Sequence, residues 1–245
     1  MLLSEIAQAS ADVTATSSRL AKVSRLAEAL GQASAEEVPI AVGYLSGFLP
    51  QGTIGVGWAA LRQLPEAAPP PPTLEVLEVD AVLSRIAGIS GPGSQAARRD
   101  ELDSLFACAT EPEQRFLVGL LLGELRQGAL AGVMVEAVAR AAEIPAAHVR
   151  RAVMVAGELG PVAAAAIAEG ADGLAGFGLA VLSPIQPMLA QTADDLDDAL
   201  SRIRPASVEW KLDGARLQVH RAGEDVRAFT RNLADITDRV PEIVE

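Results

Sequence analysis

The residues best placed by type and spacing to do covalent chemistry are Lys211, Asp213, Gly214 and Arg216, in the run Glu209-Trp-Lys-Leu-Asp-Gly-Ala-Arg216. A lysine amine attacks only when neutral, and its unperturbed pKa lies at about 10.4. A neighbouring cation such as Arg216, or a divalent ion on a bound triphosphate, favours the neutral form. The alternation over residues 208–212 predicts a strand on which Lys211 and Asp213 share a face. Gly214 lets the chain turn sharply beside a ligand. The spacing suits a nucleophile held at a strand end. A solvated turn in which Lys211 pairs weakly with Asp213 fits the same spacing.

The elements that position this run differ sharply on its two sides. Downstream, residues 215–220 and 226–230 alternate in strand fashion around the turn Gly223-Glu-Asp225, and residues 194–203 read as a short helix with an acidic start. These strands are too few to close a core. The chain therefore reads as the N-terminal portion of a longer protein.

Upstream, to about residue 170, the pattern is repeated amphipathic helix. Leu20, Val23, Ala27 and Leu30 recur at helical spacing over residues 17–30. Ser34-Ala-Glu-Glu37 and Thr110-Glu-Pro-Glu113 both have the capping-box arrangement. Apolar stripes over 100–109 and 116–125 predict helices, as do residues 133–142 and 146–158, with Gly160-Pro161 as punctuation. The proline-rich run 65–73 is a stiff connection inside one helical unit. Glycines and prolines over 170–187 mark the better boundary.

The bulk numbers bound the function. Half the residues are hydrophobic and only 3% aromatic, so the core is built mainly of Ala, Leu and Val, which favour helices. Formal net charge is −12, which argues against a nucleic-acid binder unless basic groups gather locally. Cys108 has no second cysteine to bond, and reads as a small core residue. With only His148 and His220 available, both read as structural and no zinc site is expected. No signal peptide or membrane span is read, so a soluble, cytoplasmic protein is expected.

The run Glu209–Arg216 resembles the nucleotidyltransferase motif of ATP-dependent DNA ligases. Phe229-Thr-Arg-Asn-Leu-Ala-Asp-Ile-Thr237 is similar to the family's next motif, and Pro184-Ile-Gln-Pro-Met-Leu-Ala190 to the segment that leads into the lysine strand. The helical region also resembles the DNA-binding domain of archaeal, eukaryotic and some bacterial ligases. This likeness rests on Ser90-Gly-Pro-Gly-Ser94, Arg98-Arg99, Leu105-Phe106, Glu113-Gln-Arg-Phe116 and Gly123-Glu-Leu-Arg-Gln-Gly128. Ser17-Ser-Arg19 with Lys22, and residues 48–57, fit its earlier helices. The resemblance covers about residues 15 to 240.

The resemblance implies a multidomain protein. An all-α DNA-binding domain (1–172) and a linker (173–187) lead into the beginning of an α/β adenylyltransferase domain (188–245). It implies that Lys211 takes AMP from ATP, passes it to the 5′-phosphate of a nick, and that the 3′-hydroxyl then displaces it, in replication, repair and recombination. Mg²⁺ would neutralise phosphate charge, with no metal ligand expected in this chain. By motif position Glu209 would accept from the adenine amino group, and Arg216 and Arg231 would hold ribose and phosphates. Asp213 stays open between positioning the lysine and shaping the turn. Ser17, Arg19, Lys22, Gly91, Gly93, Ser94, Arg98 and Arg99 would contact the DNA backbone, which positions without specifying sequence.

Partners implied are nicked duplex DNA and ATP, with a sliding clamp allowed. A monomer is expected, nucleoid-associated in a bacterial or archaeal cell. The family's later acidic and triphosphate-binding motifs are expected beyond residue 245, so this chain alone is expected neither to adenylate nor to seal. Two other readings stand beside this one: an RNA-end nucleotidyltransferase, and a non-catalytic helical DNA- or protein-binding module.

Overall fold

The computed structural model describes residues 1–125, 131–187, 192–203, 205–210 and 213–244. The described residues of the first part form the helices α1 (Leu3–Ala15), α2 (Arg19–Gln32), α3 (Val38–Ser46), α4 (Trp58–Leu61), α5 (Val76–Gly88), α6 (Ser94–Cys108), α7 (Glu111–Leu122), α8 (Ala131–Ala141), α9 (Ala146–Ala156) and α10 (Leu159–Gly173). Then come α11 (Leu196–Arg202), strands β1 (Leu217–Ala222) and β2 (Asp225–Thr230), a 3-10 turn (Thr237–Arg239) and α12 (Pro241–Val244). The chain divides into two compact units. One holds residues 1–153 and 158–177; the other holds 154–157 and 178–245.

In the first unit, α2 packs on α8 and on α1, α3 on α10, and α5 on α6. Leu3, Ile6, Leu26, Leu30, Tyr44, Leu45, Leu83, Ile86, Phe106, Leu117 and Met134 are fully enclosed where these faces meet. Each such aliphatic side chain contributes about 1.5–3 kcal/mol by leaving water. The proline-rich run lies inside this unit, with the Ala68 N–H donating to the Ala109 carbonyl at 2.9 Å.

Local signals place several helix starts. Ser18 caps α2, its hydroxyl accepting from the Ala21 N–H at 3.4 Å. Thr110 and Glu113 form the expected box at α7: the Thr110 N–H and hydroxyl both donate to Glu113 Oε2, at 2.9 and 2.6 Å. At Ser34–Glu37 the Glu37 carboxylate accepts the Ser34 N–H at 2.8 Å, but as a turn ahead of α3, which starts at Val38 with Pro39 in its first turn.

Other expectations need correcting. Leu20 is 75% exposed; the buried stripe of α2 is Val23, Leu26, Ala27 and Leu30, because at the helix's first turn α8 meets Arg19, through Glu136, and leaves Leu20 in solvent. Cys108 is exposed, since the buried face of α6 runs through Leu102, Leu105 and Phe106 and turns past it. Gly160-Pro161 does fall where one helix gives way to the next, but inside the first turn of α10, where proline's missing N–H costs nothing.

The second unit carries a two-stranded antiparallel sheet, in register from Leu217↔Thr230 to Ala222↔Asp225. Gly223 makes the tight turn at φ 64°, a conformation glycine adopts without penalty. The strand expected over 208–212 does not form at its described residues, 208–210. Among the described residues no strand accepts their backbone hydrogen bonds, and Val208 and Trp210 are 85% and 93% exposed.

Candidate functional site

Lys211, with Leu212, lies outside the described residues, so the candidate nucleophile is placed here only by the chain that flanks it. Glu209 is exposed, and its carboxylate accepts from the Ser207 hydroxyl at 3.2 Å. Asp213, Gly214 and Arg216 are exposed on the stretch that runs into β1.

The third candidate cation, Arg231, sits at the tip of a closed turn that follows β2. The Leu233 N–H donates to the Thr230 carbonyl at 3.0 Å, the Thr230 N–H to the Ala234 carbonyl at 2.9 Å, and the Ala234 N–H to the Thr230 hydroxyl at 3.2 Å. Leu233 takes the left-handed conformation (φ 65°) needed to close it. Arg231 and Asn232 are thus carried outward on a rigid loop, with Arg231 exposed.

A second clasp fixes the loop's return. The Ile236 N–H donates to the Ala228 carbonyl at 2.9 Å, and the Ala228 N–H donates to the Thr237 hydroxyl at 3.1 Å. Asp235 Oδ1 accepts from the Thr237 hydroxyl at 2.5 Å and from the Thr237 N–H at 2.9 Å. These two bonds, the hydroxyl's first, hold the Asp235 carboxyl below its ordinary range. Sequence reasoning counted Thr237 as a motif position but missed what it does. The signal was present as Asp-x-Thr, in which the side chains bond locally.

Two further segments of the same unit meet the hairpin. Ile185, in the stretch before the lysine run, exchanges hydrogen bonds with the side chain of Gln218 on β1. The Gln186 N–H donates to the Met154 carbonyl at 2.9 Å, and its side chain donates to the Gly157 carbonyl at 2.8 Å. His220, read as structural, packs edge-on against Phe229 with ring centroids 5.4 Å apart. Among the described residues no three His, Cys, Asp or Glu side chains gather as a metal site.

The candidate DNA contacts lie in the first unit. Gly91 and Gly93 both have left-handed φ (86° and 81°), and Gly93 stands immediately before α6, which opens at Ser94. Ser17 is exposed just ahead of α2, and Lys22 is half-buried one turn along it. Arg19 forms a forked pair with Glu136 on α8, at 3.1 and 2.9 Å. That pair raises the Arg19 guanidinium and lowers the Glu136 carboxyl.

Arg98 and Arg99 turn inward. The Arg98 guanidinium donates to the Ile89 carbonyl and lies 3.1 Å from where a Cβ on Gly55 would stand. Arg99 donates to Asp103 at 2.8 Å, to the Ala60 carbonyl at 2.7 Å and to the Gln63 carbonyl. The two arginines and Gln95 line a cleft of about 410 Å³ with Gly55, Val56 and Gly57. The bracing of residues 55–63 by α6 spans more than thirty positions of sequence, so no local pattern could announce it.

Two stretches of the chain match families of known proteins. Residues 187–245 match the family described as ATP dependent DNA ligase domain, and residues 59–139 match the one described as DNA ligase N terminus. The chain belongs to the ATP-dependent DNA ligase family. Over its whole length it is 58% identical to a probable DNA ligase of Anaeromyxobacter dehalogenans (strain 2CP-C), 56% to one of Mycobacterium sp. (strain KMS) and 54% to one of Streptomyces griseus subsp. griseus. It spans about half the length of these ligases, 48% of each. The ligase-domain match covers Lys211, Arg216 and Arg231 together with the hairpin that links them. No helix among the described residues is long and apolar enough to cross a membrane.

Proposed function

We propose that the full-length protein is an ATP-dependent DNA ligase that seals nicks in duplex DNA during replication, repair and recombination. The observation that carries this reading is one chain in which a helical ligase N terminus precedes a lysine run set directly before a hairpin. A capping enzyme or RNA ligase shares the lysine run but has no use for that helical unit.

On this reading the neutral Lys211 amine attacks the α-phosphate of ATP. A nitrogen–phosphorus bond forms, pyrophosphate leaves, and the lysine proton passes to solvent. The 5′-phosphate of the nick then displaces the lysine and takes AMP, and the 3′-hydroxyl displaces AMP to close the backbone. Glu209 accepts from the adenine amino group. Arg216, entering β1, and Arg231, on its closed turn, present forked donors to ribose and phosphates, for which lysine is a poor substitute. Both cations also disfavour a third charge at Lys211, which keeps the amine available.

Magnesium neutralises phosphate charge when it accompanies the triphosphate. Among the described residues no three His, Cys, Asp or Glu side chains gather to hold it.

The helical unit grips the duplex through its backbone. Ser17 and Lys22 supply one set of contacts, with Arg19 joining where its guanidinium exchanges Glu136 for phosphate, and the Gly91–Gly93 turn with Ser94 supplies another, through N–H groups at the start of α6. Arg98 and Arg99 act mainly by bracing residues 55–63 beside that turn. Such contacts carry no base information, as sealing nicks of any sequence requires. A monomer in the cytoplasm, at the nucleoid, fits this activity, and a sliding clamp fits as a partner.

The test is covalent labelling. The full-length protein is incubated with ATP labelled at the α-phosphate, with and without Lys211→Ala. Label that survives denaturation and disappears in the variant is the expected result; equal labelling of both proteins overturns the assignment.

A further inference from the structure

Residues 183–187 lead into the lysine run outside any regular sheet, so their backbone groups need partners from elsewhere. At Ile185 the partner is a side chain. Gln218 on β1 accepts from the Ile185 N–H at 3.1 Å through Oε1, and its Nε2 donates back to the Ile185 carbonyl. One amide thus makes both bonds that a neighbouring strand would make. Only a side-chain amide carries a donor and an acceptor side by side, and glutamine is one methylene longer than asparagine.

Gln218 also sits at a junction of the motifs. It lies two residues after Arg216, and its partner across the sheet is Phe229, which opens the segment carrying Arg231. The next residue of the lead-in, Gln186, is pinned independently to Met154 and Gly157. Three pieces of the ligase signature therefore converge on one residue, the lead-in through its side chain and the two strands through its backbone: the lead-in, the strand that continues the lysine run, and the strand that precedes the Arg231 turn.

We propose that Gln218 is a positioning residue for the transfer of AMP to Lys211, locking the lead-in segment to the hairpin so that the nucleotide meets a preformed wall. The proposal rests on the ligase reading above. Gln218 touches no reacting atom; it removes the freedom of residues 183–187 to move away from β1. Preorganisation of this kind favours the attack step, where a small misplacement is costly. Once AMP has moved to the nick, Lys211 is no longer the attacking group, and the demand on this wall falls.

The test uses the full-length protein with Gln218→Leu, which removes both hydrogen bonds, and Gln218→Asn, which keeps the amide but is too short to reach both groups. Hydrogen exchange over residues 183–187 should quicken in both variants by about tenfold, the factor set by losing a hydrogen bond. The rate of lysine–AMP formation at saturating ATP should fall by a similar factor. Sealing of a nick supplied already adenylylated should fall much less. Unchanged exchange in both variants, or equal losses in lysine–AMP formation and in sealing of the adenylylated nick, overturns the proposal. Absence of any lysine–AMP in the wild-type protein would instead remove the ligase reading, so the two failures are distinguishable.

Discussion

Arg19, Arg99 and Asp235 show how differently a charged side chain is used at three places in this chain. The Arg99 guanidinium donates to the Asp103 carboxylate and to the Ala60 and Gln63 carbonyls, and lysine could not fork to all three. Arg99→Ala should destabilise the helical unit by about 1–3 kcal/mol, the range for lost hydrogen bonds to a charged group. Urea unfolding checks this, and a loss under 0.5 kcal/mol, typical of an exposed site, would count against the bracing role. Asp235 carries a pH signature. Its folded carboxyl titrates below its ordinary range, so the stabilisation from its Thr237 bonds is present above the unfolded pKa and is lost as pH falls through the folded one. Carboxyl NMR should show a low midpoint for Asp235 that moves up toward the ordinary carboxylate value in Thr237→Val. An unmoved midpoint would assign the shift to something other than the clasp. The Thr110–Glu113 box was legible because its partners lie three positions apart. Arg99 on Ala60 and Gln218 on Ile185 were not, since they bond across 39 and 33 positions.

At the scale of elements, periodicity located helices better than it located their buried faces. Leu20 continues the apolar stripe of α2 in phase yet stands in solvent, because which turn is covered depends on where α1 and α8 lie. The strand expected at 208–212 failed at its described residues for a related reason: alternation marks a strand, but a strand persists only beside another. The end of α10 turns on glycine chemistry that sequence reading treated as a mere boundary. Gly170 adopts φ 63° and ψ −137°, a conformation close to glycine's alone, and bends the chain within the helix. Gly173 then lies so close over the preceding turn that a Cβ there would stand 2.4 Å from the Ala165 carbonyl oxygen. Backbone has to shift to make room, so Gly173→Ala should destabilise by about 1–3 kcal/mol. Gly176→Ala, with open space around its Cβ, should change stability by less than about 0.5 kcal/mol. Equal melting temperatures for the two variants would mean that the close approach is not needed for folding.

For the molecule as a whole, the difficulty is the charge. A net of −12 opposes a polyanion, yet the ligase reading requires the helical unit to hold duplex DNA. Repulsion from the overall charge is long-range and is screened beyond about 10 Å at 0.1 M salt. Contacts between a cation and a phosphate are short-range, and each releases counterions from the duplex. A few well-placed cations can therefore bind DNA on an acidic protein, and the salt dependence should count them. For the full-length protein on a nicked duplex, log K should fall linearly with log salt, by about 0.9 for each phosphate neutralised. If Lys22 makes one such contact, Lys22→Ala should reduce the slope by about 0.9. Arg19 gives a sharper form of the test because Glu136 already holds its guanidinium. Glu136→Gln should free that fork for phosphate and tighten binding at low salt. Its effect on stability should be small, since the pair is largely exposed and screened by solvent. A binding curve indifferent to salt, with Glu136→Gln inert, would mean that this unit does not bind DNA through its charges, and would favour a protein-interaction module in its place.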